Sequence, residues 1–126
     1  MKNLENKYLK LANECADVSG KIISKYFRKK IKIEVKPDNT PVTKADKESE
    51  KKIRDLITKK APECGFFGEE TGKLNINNEY TWVVDPLDGT KGFITGKPLF
   101  GTLIGLMKNN KPYLGILNQP ILKERW

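Results

Sequence analysis

Apolar side chains recur at Leu4, Tyr8, Leu11, Cys15, Val18, Ile22 and Tyr26, a three-four alternation that predicts one amphipathic helix over residues 2–29. Gly20 weakens its middle without ending the pattern. A second helical period begins at Thr43-Lys44-Ala45-Asp46 and runs to about Lys60, with Ile53, Leu56 and Ile57 as its inward positions, and Pro62 stops it. Thr43 followed three residues later by Asp46 fits a capping box, so the ordinary job of Asp46 is to close a helix N-terminus. Between the helices, Ile31–Val35 reads as a brief strand or extended lead-in. Lys36–Pro41, with two prolines framing Asp38-Asn39, reads as loop.

Beyond Pro62 the period shortens. Gly65-Phe66-Phe67-Gly68 is a short apolar run that ends in Glu69 and Glu70, and Lys73–Glu79 reads as a polar loop. Thr81-Trp82-Val83-Val84 has the β-branched and aromatic character of a buried strand, and it ends in Asp85 and Asp88 with Pro86 forcing a turn between them. Leu99–Met107 and Tyr113–Leu117 are apolar runs joined by Lys108-Asn109-Asn110-Lys111, which predicts a β-hairpin because Asn tolerates the positive φ of such turns. Ile121–Trp126 resembles the approach to a further strand, and no repeat period is visible. The pattern predicts an α+β, layered chain with two N-terminal helices packed on a largely antiparallel sheet, in one domain over 1–126.

Composition narrows the chemistry. At 126 residues, with 37% hydrophobic and 32% charged positions, the chain suits one globular domain with a core. It has no apolar run of bilayer length and no signal-peptide core, so no membrane partner is expected. Cys15 and Cys64 make neither a metal-ligand spacing nor a disulfide framework, which implies buried thiols and a reducing cytoplasm. The chain has no histidine, which removes Ser-His and Cys-His nucleophiles and the usual Zn²⁺ ligand and leaves carboxylate chemistry. The net charge of +8 is spread as lysines over every segment, with few interleaved aromatics, and so favours a solvated surface over a nucleic-acid face.

Two apolar runs therefore end in acids. If they are neighbours in one sheet, Glu69, Asp85 and Asp88 meet at a common edge; a solvated Glu69-Glu70-Thr71-Gly72 turn is an equal alternative. Crowded, desolvated carboxylates repel one another unless a cation sits between them. The implied site is of the Mg²⁺ type, facing a phosphate. Asp85 is placed to bridge two ions, Asp88 to hold one and Glu69 the other, with the Leu87 carbonyl turned inward. Gly89 and Thr90 would offer backbone N–H groups to a phosphate oxygen. The Thr90 hydroxyl could relay a proton from water to Asp46 or Glu69. Lys36 and Asp38 could reach an ion or phosphate from their loop.

The strings Pro41-Val42-Thr43-Lys44-Ala45-Asp46, Gly68-Glu69-Glu70-Thr71-Gly72 and Trp82-Val83-Val84-Asp85-Pro86-Leu87-Asp88-Gly89-Thr90 resemble, in order and spacing, the inositol monophosphatase superfamily of Mg²⁺-dependent phosphomonoesterases. The resemblance implies the first half of an α-β-α-β-α sandwich with two or three Mg²⁺ in the complete site. It puts Glu69, Asp85 and the Leu87 carbonyl on one metal and Asp85 and Asp88 on a second. Gly89 and Thr90 would hold phosphate, Thr90 with Asp46 or Glu69 would activate the attacking water, and Lys36 would be an accessory loop lysine near the metals. The downstream strings Gly92–Pro98, Phe100–Ile104 and Gly115–Pro120 look most like the histidinol-phosphatase branch, which implies L-histidinol phosphate as the small phosphorylated substrate. Inositol-1-monophosphatase and 3'(2'),5'-bisphosphate nucleotidase are the alternatives, and a non-catalytic interaction module is another. The resemblance reaches across about the first half of a family domain only. It thus implies weak Mg²⁺ binding, slow turnover, and association, as a homodimer or otherwise, through the uncovered sheet face.

Overall fold

In the computed structural model, which describes residues 2–30, 32–37 and 41–126, helix α1 spans Lys2–Tyr26 and helix α2 spans Lys44–Lys60. The inward face of α1 carries Tyr8, Leu11, Ala12, Cys15, Ala16, Ser19, Gly20 and Ile23. Its second half is turned by about one position from the expected stripe, leaving Val18, Ile22 and Tyr26 only half-buried. The cause is close packing by small residues. Ser19 Oγ lies 2.9 Å from Thr102 Oγ1, and a Cβ on Gly20 would stand 3.3 Å from the Asn118 amide, so the polar small face goes against the sheet.

Strands β1 (Ile33–Val35) and β2 (Pro41–Thr43) pair antiparallel. The expected loop over Lys36–Pro41 is thus shortened, because Pro41 already lies in the ladder. Asp38, expected to reach toward an ion, lies outside the described residues. The main sheet comprises β3 (Gly65–Gly68), β4 (Gly72–Leu74), β5 (Tyr80–Asp88), β6 (Gly101–Lys108), β7 (Lys111–Gln119) and β8 (Glu124–Arg125), in the order β4-β3-β5-β6-β7-β8. Its pairings are antiparallel except β3 with β5, which run parallel. The expected polar loop after Gly72 begins instead as edge strand β4, held by pairing Leu74 with Phe66. Between β6 and β7, Asn109 and Asn110 take φ values of 51° and 65°, the doubly left-handed turn that matches strand twist.

Both helices pack on one face of the sheet around Tyr8, Ile53, Ile57, Phe66, Trp82 and Leu106. A smaller cluster of Ile23, Ala45, Leu87, Phe93 and Phe100 lies beneath the end of β5, where helix α3 (Thr90–Ile94) begins. On the opposite face, Phe67, Val83 and Leu103 are each exposed by 38–40%. Among the described residues, no helix is long and apolar enough to cross a membrane.

Candidate metal and phosphate site

Parallel pairing of β3 with β5 is what gathers the acids. The register Gly68↔Val84 brings both strands to the same edge, so Glu69 and Asp85 emerge side by side, and the Glu69 N–H donates to the Val84 carbonyl at 3.3 Å. The ladder from β5 to β6 then shifts between Asp85 and Asp88. In that irregular stretch the Thr102 hydroxyl donates to the Pro86 carbonyl at 2.7 Å, and the Leu87 N–H reaches Asp85 Oδ1 at 3.3 Å. The Leu87 side chain is buried in the smaller apolar cluster. Its carbonyl is left at the cleft, 3.1 Å from the Thr90 hydroxyl.

That hydroxyl is also 3.1 Å from Asp46 Oδ1, with one proton to give to either acceptor. Asp46 reaches it from the first turn of α2. Its other oxygen, Oδ2, accepts the Thr43 N–H at 2.8 Å and the Thr43 hydroxyl at 2.6 Å, while the Asp46 N–H lies 3.5 Å from Thr43 Oγ1. The capping box and the site position therefore coexist in one side chain. Gly89 caps α3 with φ 87°, and a Cβ there would stand 2.8 Å from the Leu99 carbonyl, so both backbone and space call for glycine.

Together Lys36, Asp46, Glu69, Glu70, Asp85, Leu87, Asp88, Gly89, Thr90 and Lys91 line a cleft of about 270 Å³. Of the residues singled out from the sequence, Lys36, Asp46, Glu69, Asp85, Leu87, Asp88, Gly89 and Thr90 lie on it, and Asp38 falls outside the described residues. Glu70 was missed: its side chain is only 10% exposed and pairs with the Lys36 ammonium at 2.7 Å, whereas Glu69, at 3.7 Å from Lys36, is 55% exposed. Two successive acids leaving a strand point to opposite sides, and the pattern alone does not say which turns inward.

The electrostatics are those of negative charge crowded at a half-buried edge. Burial first, then Glu69 and Asp88, push the Asp85 carboxyl up to about 6. Burial likewise raises Glu70 against the opposing pull of Lys36. Burial works against the Lys36 charge, but Glu70, Glu69 and Asp46 outweigh it and hold the ammonium above its ordinary range. Among the described residues, no three His, Cys, Asp or Glu side chains close around a single point. The donor set is nonetheless all oxygen, from Glu69, Asp85, Asp88 and the Leu87 carbonyl, in one open cleft. It fits a hydrated hard cation held by one or two carboxylates and completed by water and phosphate, not a closed protein cage. The raised Asp85 fits as well, since a cation would offset the burial and the repulsion that raise it.

The model of the inositol monophosphatase family matches residues 4–126. The chain is 49% identical over 123 residues to the bifunctional phosphatase IMPL2, chloroplastic, of Arabidopsis thaliana, covering 96% of this chain and 36% of that protein. It is 43% identical over 117 residues to the histidinol-phosphatase of Chlorobaculum parvum, covering 92% of this chain and 45% of the relative. Among solved structures, an inositol monophosphatase from Zymomonas mobilis superposes with a TM-score of 0.80 at 44% identity, over 96% of this chain and 46% of the other. The chain thus spans less than half the length of these relatives. With its helices on a mostly antiparallel sheet and its acids at the parallel β3–β5 edge, this chain belongs to the inositol monophosphatase family.

Proposed function

We propose that this chain carries the metal- and phosphate-binding part of a Mg²⁺-dependent phosphomonoesterase that acts on a small phosphorylated metabolite, with L-histidinol phosphate as substrate. The observation that carries the reading is the meeting of Asp46, Glu69, Asp85 and Asp88 with the Thr90 hydroxyl and the Leu87 carbonyl in one cleft. The choice of substrate is supported by the 43% identity to a histidinol-phosphatase. Two buried free thiols, Cys15 and Cys64, suit a reducing compartment such as the cytoplasm.

In this reading Glu69, Asp85 and the Leu87 carbonyl would hold one Mg²⁺, and Asp85 with Asp88 would hold a second. Bound there, Mg²⁺ would supply charge neutralisation for the phosphoryl oxygens and acidify the attacking water. The backbone N–H groups of Gly89 and Thr90 orient the phosphate. As the water oxygen bonds to phosphorus and the ester P–O bond breaks, the departing alkoxide takes a proton from solvent at the open cleft. Thr90 takes a proton from the attacking water while its own proton passes to Asp46 Oδ1, the acceptor already within 3.1 Å. Asp46 stays in place during that transfer because its second oxygen is anchored by Thr43. Lys36 pairs with Glu70 and stands 3.7 Å from Glu69, offsetting one of their two charges.

Metal uptake is measured beside phosphate release, so that the site and the turnover are read separately. Mn²⁺ binding followed by electron paramagnetic resonance, and Mg²⁺-dependent release of phosphate from L-histidinol phosphate, are compared in wild type and Asp85→Asn. Loss of one carboxylate shared between two ions is expected to weaken Mn²⁺ by about tenfold or more and to remove the phosphate release. Unchanged Mn²⁺ affinity in Asp85→Asn would remove the site assignment. Faster release from inositol 1-phosphate or a 3'-phosphoadenosine nucleotide would move the substrate and leave the site standing.

A further inference from the structure

Glu50 stands one helical turn beyond Asp46 on the same face of α2 and is fully buried, yet it does not line the cleft. Its Oε1 accepts the Glu70 N–H at 2.8 Å, and its Oε2 accepts the N–H of Thr71. Both amides belong to the turn that leaves β3 and presents Glu69. The end of β3 is shaped to the same carboxylate, because a Cβ on Gly68 would stand 2.5 Å from the Glu50 Cδ and Oε2. A buried carboxylate is costly unless its oxygens are bonded, and here each oxygen takes one of two successive amides. An apolar side chain would fill the same space and leave both amides without an acceptor. Two parallel bonds from one rigid group fix the orientation of a turn as well as its place.

We propose that Glu50 is a positioning residue for the metal site: by clasping the Glu70 and Thr71 amides it fixes Glu69 beside Asp85. Helix α2 then registers both halves of the site from one face, Asp46 against Thr90 and Glu50 against the Glu69 turn. This rests on the metal-site reading above, with Glu50 acting through Glu69 and touching neither ion nor substrate.

Amide hydrogen exchange and Mn²⁺ affinity of the wild-type chain are compared with those of Glu50→Gln, Gly68→Ala and Asp85→Asn. Glutamine keeps the volume and one acceptor but turns an NH₂ toward the second amide, and the Gly68 methyl crowds the carboxylate from the other side. In Glu50→Gln the Glu70 and Thr71 amides are expected to exchange at least about tenfold faster while the Trp82 and Val84 amides hold, and Mn²⁺ affinity to fall about tenfold. Gly68→Ala is expected to move affinity in the same direction. Loosened amides with Mn²⁺ affinity within about twofold of wild type would mark Glu50 as structural only and overturn the proposal. If Asp85→Asn loses Mn²⁺ while Glu50→Gln keeps it, the metal reading stands and the Glu50 proposal falls. A wild-type chain that takes up no Mn²⁺ overturns both. Should the variants fail to fold, scalar coupling across the hydrogen bonds decides in the wild-type chain. Coupling of the Glu70 and Thr71 nitrogens to the Glu50 carboxylate carbon supports the clasp, and its absence overturns it.

Discussion

At the scale of single residues, the side chains of this site do two jobs each. Asp46 closes a helix with one oxygen and meets Thr90 with the other. The capping-box spacing made the first job legible in the sequence, and the second was legible only through the motif around Thr90. Glu50 was not legible at all. It sits among lysines and acids in a stretch that reads as a solvated helix face, and its burial follows from the close approach of Gly68, a contact between distant segments. The two thiols, by contrast, follow their residue type. Cys15 is wholly buried, and burial pushes it up to about 12; burial also raises Cys64. An unfolded cysteine ionises near pH 8.5. Between that value and the native one the unfolded chain binds fewer protons than the native, so native stability falls as pH rises. Urea unfolding from pH 8 to pH 10 is expected to show this loss, up to about 1.4 kcal/mol per pH unit for each thiol. The slope should flatten in Cys15→Ala; the same slope in that variant would refute the assignment.

At the scale of elements, long periods were readable and short pairings were not. The alternation along α1, the stop at Pro62 and the β6–β7 hairpin follow from patterns spread over many residues. Strands β2 and β4 have three residues each, too few for a period to register, and β1, equally short, was legible only as a brief strand or extended lead-in. All three exist because a partner strand offers hydrogen bonds. The turn of the hairpin can be tested on its own terms. Asn110 holds φ 65° at an exposed position, where a β-branched side chain clashes with its own backbone. Asn110→Val is expected to lower the unfolding free energy by about 1–2 kcal/mol, whereas Asn110→Gly leaves it within about 0.5 kcal/mol. Equal urea midpoints for the two variants would show that the turn relaxes to another form.

At the scale of the whole molecule, the two faces of the main sheet are unequal. Helices α1 and α2 bury Trp82, Phe66, Ile104 and Leu106 on one side, while the strands alternate Phe67, Val83 and Leu103 to the other. Those three lie on the adjacent strands β3, β5 and β6, so they form a patch instead of scattered apolar positions. Trp126, exposed by 65%, lines the same hollow. A contiguous apolar patch drives association in water, and the net charge of +8 opposes it through repulsion that salt screens. Sedimentation velocity of the chain is therefore expected to show concentration-dependent self-association that strengthens with salt. Val83→Thr combined with Leu103→Thr puts strand-favouring β-branched side chains at both positions but removes much of the apolar surface, and should shift the chain toward monomer without lowering its Tm appreciably. Association that persists in the double variant, or that weakens as salt is added, would place the contact elsewhere, on the charged faces.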